Sequence, residues 1–524
     1  AGHGVFNEKY PNQSGMVIGE KLFLSVFQIQ QLPVVPELVF VNCCHLGAVN
    51  PDHEEYYRDR YKLAANIGTQ LISIGVKAVI AAGWVVNDEA ALDFSKKFYE
   101  HMFGGDSFGD AVRKARSYIY EKHPGNNTWG AYQCYGDPFF KIRDISKGEW
   151  NPRYIVPQEA EIDLDNTMNN IEMGVGKIAD YLYNLNKIDK AVMRDEETLL
   201  TAAVVEKQAR IYYQLAIYDK ALEKFYQLMN IEKADFSLSA LEIFCNTRAK
   251  LNVQNIYQQG VEIKSSDKKR SYTKILRVID DLRVLLKVGQ TAGRLNMLGS
   301  TYKRLAMVAP NRDTLIDALK RSKVYYLASY DLYKEENVVY PLTNAIEISA
   351  ILYLSGKIKS GKYSLAFKDN QYVPVHENGK KYNNPLPCEL FSLDEAIEKL
   401  DAERDKLDSN DSNEDYWNML KALNIDMCKL MVDRDNPDEE DGWIALKKDF
   451  HRTWQKAGSE SKKLTEMEHI KILIYALIKI YKAREVGILP HKKTATIEDL
   501  DFHLDTLKTA LANLKRPKSN NSKK

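Results

Sequence analysis

The sequence predicts an α/β domain built on a parallel sheet, followed by a long α-helical region. Two apolar runs, Leu38 to Val41 and Val76 to Ala82, read as buried parallel strands because they lack the alternation of a half-exposed strand. Between and after them apolar residues recur at helical spacing, and beyond Pro157 that period persists almost to the C-terminus. The 524 residues allow three or four domains at about 150 residues each. Lys+Arg 73 nearly cancel Asp+Glu 72, so no overall field of one sign draws the chain to nucleic acid. Hydrophobic residues at 44% and charged ones at 28% are globular proportions, enough to bury a sizeable core.

Each element has its own signal. The run Leu38 to Val41 enters a turn at Asn42 to Gly47, and a helix is predicted from Tyr57 to Ile74 with Tyr61, Leu63, Ala64, Ile67, Leu71 and Ile74 on one face. Gly75 is its predicted C-cap. The second strand runs into Gly83 to Asp88, a helix follows from Glu89, another spans Phe108 to Glu121, and a short strand at Ala131 to Tyr135 closes the region. Repeated β-α-β order implies a parallel sheet with helices on its faces. Gly148, Pro152 and Pro157 mark a linker, placed at 146–164.

In the following stretch, 165–355, Ala209, Tyr212, Ala221 and Phe225 sit at offsets that resemble the tetratricopeptide helix-turn-helix, with Tyr218-Asp219 in the turn. The pattern recurs at Leu298-Gly299, Tyr302 and Ala318, with a turn lengthened around Pro310, and in degenerate form from Tyr340-Pro341 through Asn344, Ala345 and Leu352. An unrelated helical bundle is the alternative. Residues 356–389 read as a β-hairpin insertion, Tyr363 to Phe367 and Tyr372 to Val375 flanking Asp369-Asn370. Helices resume over 390–514, separated by acidic loops at Asp408 to Asp415 and Asp433 to Asp441. The last has Thr496 as N-cap and Leu500, Leu504, Leu507, Leu511 and Leu514 along one face. The basic tail 515–524 is expected to be disordered.

Six cysteines, two of them adjacent at Cys43-Cys44, form neither a disulfide framework nor a zinc spacing, which fits a reducing, cytoplasmic setting. The most apolar helical stretch, Ile470 to Tyr481, contains Lys471 and Lys479 and falls short of the roughly 20 residues of a membrane span. The opening AGHGVFNEKY has neither the basic start nor the apolar run of a signal peptide, and the chain is expected to begin inside a larger polypeptide.

Reactive groups in open α/β sheets gather at the carboxyl ends of strands. Cys44 stands at such an end, where it is either a nucleophile or a small buried hydrophobe. His3-Gly4 lies 41 positions earlier. A cysteine peptidase needs an imidazole to take the thiol proton and return it to the leaving amine, with donors for the tetrahedral oxyanion. His3 as base, with the Gly4 and Cys44 amides as oxyanion hole, completes that constellation. His45 competes for the base role, but its place beside Cys44 at a strand end argues for a structural one. Gly104-Gly105 and Gly2-x-Gly4 lack the Lys-Ser/Thr of a phosphate loop, and the ten histidines form no HExxH. No metal or other cofactor is expected. The basic run Lys268-Lys269-Arg270 and the tail read as solvated surface, RNA contact being the minor alternative.

The segments AGHG, LVFVNCCHLG, the stretch from Gly75 to Tyr120, and WGAYQCYGDPFF occur in an order that resembles a CHAT domain, the caspase-like, separase-related peptidase domain often joined to tetratricopeptide repeats. The resemblance covers about residues 1 to 142, within a domain placed at 1–145, and Cys43 departs from the small Ala usual before the nucleophile. It implies a caspase-like sheet whose first strands precede His3, with catalytic His3 and Cys44. Trp84 and Asp88 would shape the P1 pocket, Asp88 selecting a basic side chain or else serving as a helix N-cap. Gly136-Asp137-Pro138 reads as a structural turn. The function implied is a cysteine endopeptidase in a prokaryotic defence or programmed-death module. Its partners would be a protein substrate, a regulatory protein or upstream part of the same polypeptide, and indirectly a nucleic-acid-sensing complex, with no membrane. The competing class is a protein-binding scaffold with a degenerate peptidase fold.

Overall fold

A computed structural model describes residues 2–5, 15–19, 22–25, 35–41, 43–44, 68–84, 86–142, 151–232, 234–235, 237–257, 264–332, 338–353, 364–368, 371–374, 385–387, 393–408, 415–432, 439–481 and 496–512. The chain divides into two compact units, Ala1–Asn170 with Ala179–Leu200, and Ile171–Ile178 with Thr201–Lys524.

In the first unit, β1 (Gly2–Val5) pairs antiparallel with β2 (Gly15–Gly19), and β2 with β3 (Leu22–Ser25). The run Leu38–Val41 forms β4, and Cys43–Cys44 forms β5, which pairs parallel with β1. The strand predicted at 76–82 is β6 (Ala78–Ala82), parallel to β4 with Leu38 opposite Ala78 and Val41 opposite Ala81. Residues 68–73 are helical, and Gly75 caps them as predicted: its φ is +104°, its amide donates to Ile72 O, and the Val76 amide reaches back to Leu71 O. The earlier part of that predicted helix, along with Asn42, His45 and Gly47, lies outside the described residues.

Beyond β6 come α1 (Asp88–Phe103), α2 (Phe108–Lys122), the single turn α3 (Thr128–Ala131) and β7 (Tyr132–Gly136). β7 runs antiparallel to β6, so this sheet is mixed where a parallel one was predicted. An antiparallel pair of long helices returns the chain to the carboxyl end of β6, and β7 enters from there with Tyr132 opposite Ala82. A parallel strand would have needed a crossover to the other end. Phe94 and Phe98 of α1 and Phe108 of α2 bury completely or nearly so against Ile80 and Tyr132, and the Phe94 and Tyr132 rings stack at 4.1 Å. Each such ring contributes about 1.5–3 kcal/mol by its burial.

The predicted turn at 136–138 is present. Gly136 has φ +102°, and a Cβ there would stand 2.2 Å from Lys77 O. Asp137 Oδ1 accepts from the Phe139 amide at 2.8 Å. The stretch predicted as linker is helical from Pro157 onward, as α4 (Pro157–Glu172). Proline punctuates a linker and equally well opens a helix, since the first helical position needs no N–H donor. Asn166 of α4 accepts from the Val35 amide at 2.9 Å and donates to Val35 O. α5 (Ile178–Val192) completes the unit.

The second unit is an array of helix pairs. α6 (Ala202–Gln214) and α7 (Tyr218–Met229) form the first predicted helix-turn-helix. The turn is Leu215 to Ile217, with Ala216 at φ +59°, so Tyr218 and Asp219 open α7 and do not make the turn. α8 (Leu238–Tyr257) and α9 (Ser265–Val288) form the next pair, and α10 (Ala292–Met307) with α11 (Arg312–Leu332) the third. The third pair buries the predicted Leu298, Gly299, Tyr302 and Ala318. α12 (Val339–Tyr353) follows.

The predicted hairpin is β8 (Ser364–Lys368) with β9 (Gln371–Pro374), and β10 (Pro385–Pro387) adds antiparallel to β8 as a third strand. The chain ends in α13 (Leu393–Asp408), α14 (Tyr416–Val432), α15 (Glu439–Lys456), α16 (Glu460–Tyr481) and α17 (Ile497–Ala512). Thr496 caps α17 through the Asp499 amide at 3.2 Å, and Leu500, Leu504, Leu507 and Leu511 are buried. Leu514 and the tail 515–524 lie outside the described residues.

α16 packs against α6, α10, α11 and α12. Lys250 of α8 donates to Thr465 at 2.7 Å, Arg304 of α10 pairs with Glu468, and His469 bridges Lys303 of α10 and Glu347 of α12, each at 2.9 Å. Charged side chains of the array are therefore met by a later helix of the same chain. Among the described residues no helix is long and apolar enough to cross a membrane, and Lys471 sits buried within α16.

Candidate active site

Two strands bring the predicted catalytic pair together. β1 and β5 run parallel with Gly2 opposite Cys43 and His3 opposite Cys44. Neighbouring strands lie about 4.8 Å apart, so residues 41 positions apart in sequence become cross-strand neighbours. On its other side β1 is held by β2, His3 opposite Val17 and Gly4 opposite Met16. The β1–β5 ladder ends at His3 and Cys44, and Gly4 is the first residue past it.

The other predicted site residues, Trp84 and Asp88, follow the carboxyl end of β6, a strand that touches β5. The β4–β6 ladder runs from Leu38 opposite Ala78 to Val41 opposite Ala81, and Trp84 follows three residues after its end. Trp84 is 38% exposed, and its indole lies against Gly130, 3.5 Å from where a Cβ would stand. The segment from Gly83 to Asp88 is pinned at both ends. The Gly83 amide donates to Ala131 O at 2.8 Å, and the Asn87 amide donates to Thr128 Oγ1 at 3.0 Å. Thr128 is fully buried, and its own hydroxyl donates a hydrogen bond to Asn126 Oδ1 at 2.6 Å.

Asp88 is exposed at the first position of α1, and the N-cap is Asn87, whose Oδ1 accepts from the Ala90 amide at 3.1 Å. The cap alternative for Asp88 is thus corrected: the preceding side chain performs it, because the loop leaves Asn87 in the extended conformation a cap requires. Asn126 and Thr128, which position this loop, carry no sequence signal beyond their local turn.

Among the described cysteines, burial pushes the Cys134 thiol up to about 11 and the Cys245 thiol up to about 12, and raises Cys428 as well. A thiol held protonated at neutral pH is a poor nucleophile. The basic run at Lys268 lies on α9, with the Lys268 ammonium 6.0 Å from the Tyr475 ring centre. Among the described residues no cluster of His, Cys, Asp and Glu is placed to hold a metal ion.

Residues 1–137 match the family model described as CHAT domain, a family of caspase-like cysteine peptidases. Among solved structures the chain is similar to the TPR domain of P58(IPK), at 10% identity over 81% of this chain and 97% of that chain, with a TM-score of 0.15. No curated protein matches it.

Proposed function

We propose that this chain is a cysteine endopeptidase in which His3 and Cys44 form the catalytic dyad. The observation that carries this reading is the register that sets His3 opposite Cys44. In the mechanism, the His3 imidazole takes the Cys44 thiol proton and the thiolate adds to the scissile carbonyl carbon. The amides of Gly4 and Cys44 hold the oxyanion. Collapse expels the amine, which receives its proton from the imidazolium. Water, deprotonated by His3, then hydrolyses the thioester and frees Cys44. The indole of Trp84 forms a wall of the P1 site, and the exposed Asp88 carboxylate attracts a basic P1 side chain.

The helical array supplies protein recruitment, and because α16 covers Lys250, Lys303 and Arg304, a recruited partner engages surfaces that α16 leaves exposed. A role in prokaryotic defence or programmed death, in the cytoplasm and under a regulatory partner, completes this reading.

The test is alkylation of the full chain with iodoacetamide at neutral pH, followed by peptide mapping, beside hydrolysis of fluorogenic peptides with Arg or Leu at P1. Cys44 is expected to label first, with His3→Ala slowing it by about a hundredfold, the scale of general-base assistance. Cys44→Ala should abolish hydrolysis, and Asp88→Asn should erase the preference for Arg. Hydrolysis that survives Cys44→Ala sinks the assignment. Labelling of Cys44 that is indifferent to His3 favours the scaffold.

A further inference from the structure

In the first unit a groove of about 810 Å³ runs between α2 and β7. Its walls include Val112, Arg116 and Tyr120 of α2, then Trp129 and Cys134. Trp84 packs on Gly130, the residue after Trp129. Three features of the groove point to one occupant.

The first is an open strand edge. The Ala131 carbonyl and the Asp137 amide both bond toward the β6 side, to Gly83 N and Lys77 O. Main-chain groups of an antiparallel strand alternate in direction, so Tyr132, Cys134 and Gly136 present theirs to the groove. The Tyr132 carbonyl accepts from Arg116 Nη2, which confirms the outward direction. Among the described residues no backbone partner meets the Cys134 or Gly136 main chain on that side.

The second feature is aromatic. Tyr120 and Trp129 are 64% and 42% exposed and meet edge to face at 5.5 Å, leaving an amphipathic rim at one end of the groove. The third is charge. Arg116 Nε is buried without a hydrogen-bond partner among the described residues, although its Nη2 is engaged. Arg116 itself is half-buried in the groove wall, where its guanidinium charge attracts an incoming carboxylate.

We propose that this groove docks an extended, acid-bearing segment of a partner protein, which adds as a strand to the free edge of β7 and sets a carboxylate against Arg116. Main-chain bonds to Cys134 and Gly136 supply the pairing, and Arg116 with the Tyr120–Trp129 rim supplies selectivity. Docking there requires neither His3 nor Cys44, so it stands whether or not the chain cleaves what it holds.

The test uses the full chain and fluorescein-labelled seven-residue peptides that alternate Val and Thr around a central Glu or a central Lys. Anisotropy titrations should show the Glu peptide binding about tenfold more tightly than the Lys peptide, the scale of one charge-assisted contact. Arg116→Gln should remove that difference. Ser117 is exposed on α2 and lines the same groove, so Ser117→Trp should block both peptides while the circular dichroism of the chain stays unchanged. Hydrogen exchange of the segment holding Cys134 and Gly136 should slow when the Glu peptide is bound. Any of four results overturns the proposal: no binding, equal binding of the two peptides, full binding by Ser117→Trp, or a Cys134–Gly136 segment already protected in the free chain. Concentration-dependent dimers abolished by Ser117→Trp would assign the groove to a second copy and overturn it as well.

Discussion

Breaking the ion pair between Arg304 and Glu468 should loosen α16 from α10. Arg304 Nε meets Glu468 Oε1 at 2.5 Å, with the side chains 5% and 9% exposed. Arg304 Nη1 also reaches Asn246 Oδ1 at 3.2 Å and Ser300 Oγ at 3.3 Å. Arg304→Met leaves the Glu468 carboxylate buried without its guanidinium, a change worth about 3–5 kcal/mol in comparable pairs. By the tenfold-per-1.4 kcal/mol rule, amides of α16 should then exchange about a hundred- to several-thousandfold faster in native-state hydrogen exchange. Arg304→Met with Glu468→Leu removes both charges at similar volume and should restore most of the protection, since well-packed apolar replacements of buried pairs are often neutral. Local exchange is the suitable assay because a chain of two compact units has no single unfolding free energy. Less than a threefold change in Arg304→Met, or a double variant no better protected than the single one, would refute the reasoning.

Three further outcomes follow from the geometry. Gly136→Ala forces a Cβ to within 2.2 Å of Lys77 O at φ +102°, and should lower the stability of the first unit by about 1–3 kcal/mol in thermal unfolding; an unchanged melting temperature would contradict it. Thr128→Val strands the Asn87 amide, at about 1–3 kcal/mol, while Asn126 Oδ1 keeps the backbone amide of residue 128, and should raise exchange at Asn87 and shift the emission of Trp84. Burial pushes the Lys303 ammonium down to about 8, against the opposing pull of Glu347 and with Arg304, Glu466, Glu468 and His469 around it. The unfolded chain therefore binds more protons between about pH 8 and the ordinary lysine value near 10.4, and stability should rise with pH across that window. Urea titrations at about pH 8 and pH 10 should show the rise in the parent and a flatter response in Lys303→Met.

Much of the fold was written in local pattern. The apolar runs at 38–41 and 78–82, the Gly75 cap and the Thr496 cap are short-range signals, and each appears where its chemistry places it. The direction of β7 was not legible, because strand sense depends on how many helices intervene and on where they end. The β2–β3 hairpin was overlooked although two short apolar runs, Met16 to Ile18 and Leu22 to Leu24, flank a short polar break at Glu20-Lys21. At the site, the residue types of His3 and Cys44 were readable, but their register belongs to tertiary structure. The Asn87 cap was one residue away from the prediction because Asn and Asp in succession are equally good local candidates. The place of α16 was hidden for a different reason: its polar residues, Ser461, Thr465, Glu468 and His469, read as a solvated face until the helices that receive them are in place.

That placement also sets an order of events during synthesis. Ser461 of α16 meets Tyr218 across 243 positions of sequence. At about 5–20 residues per second, a ribosome takes roughly 10 to 50 s to cover that stretch. Glu347, the last of the array's charged residues around α16, precedes Ser461 by 114 positions, so Lys250, Lys303, Arg304 and Glu347 are all made before the helix that meets them. The cations of the array thus wait for their carboxylates, and a late helix neutralises charges laid down by early ones.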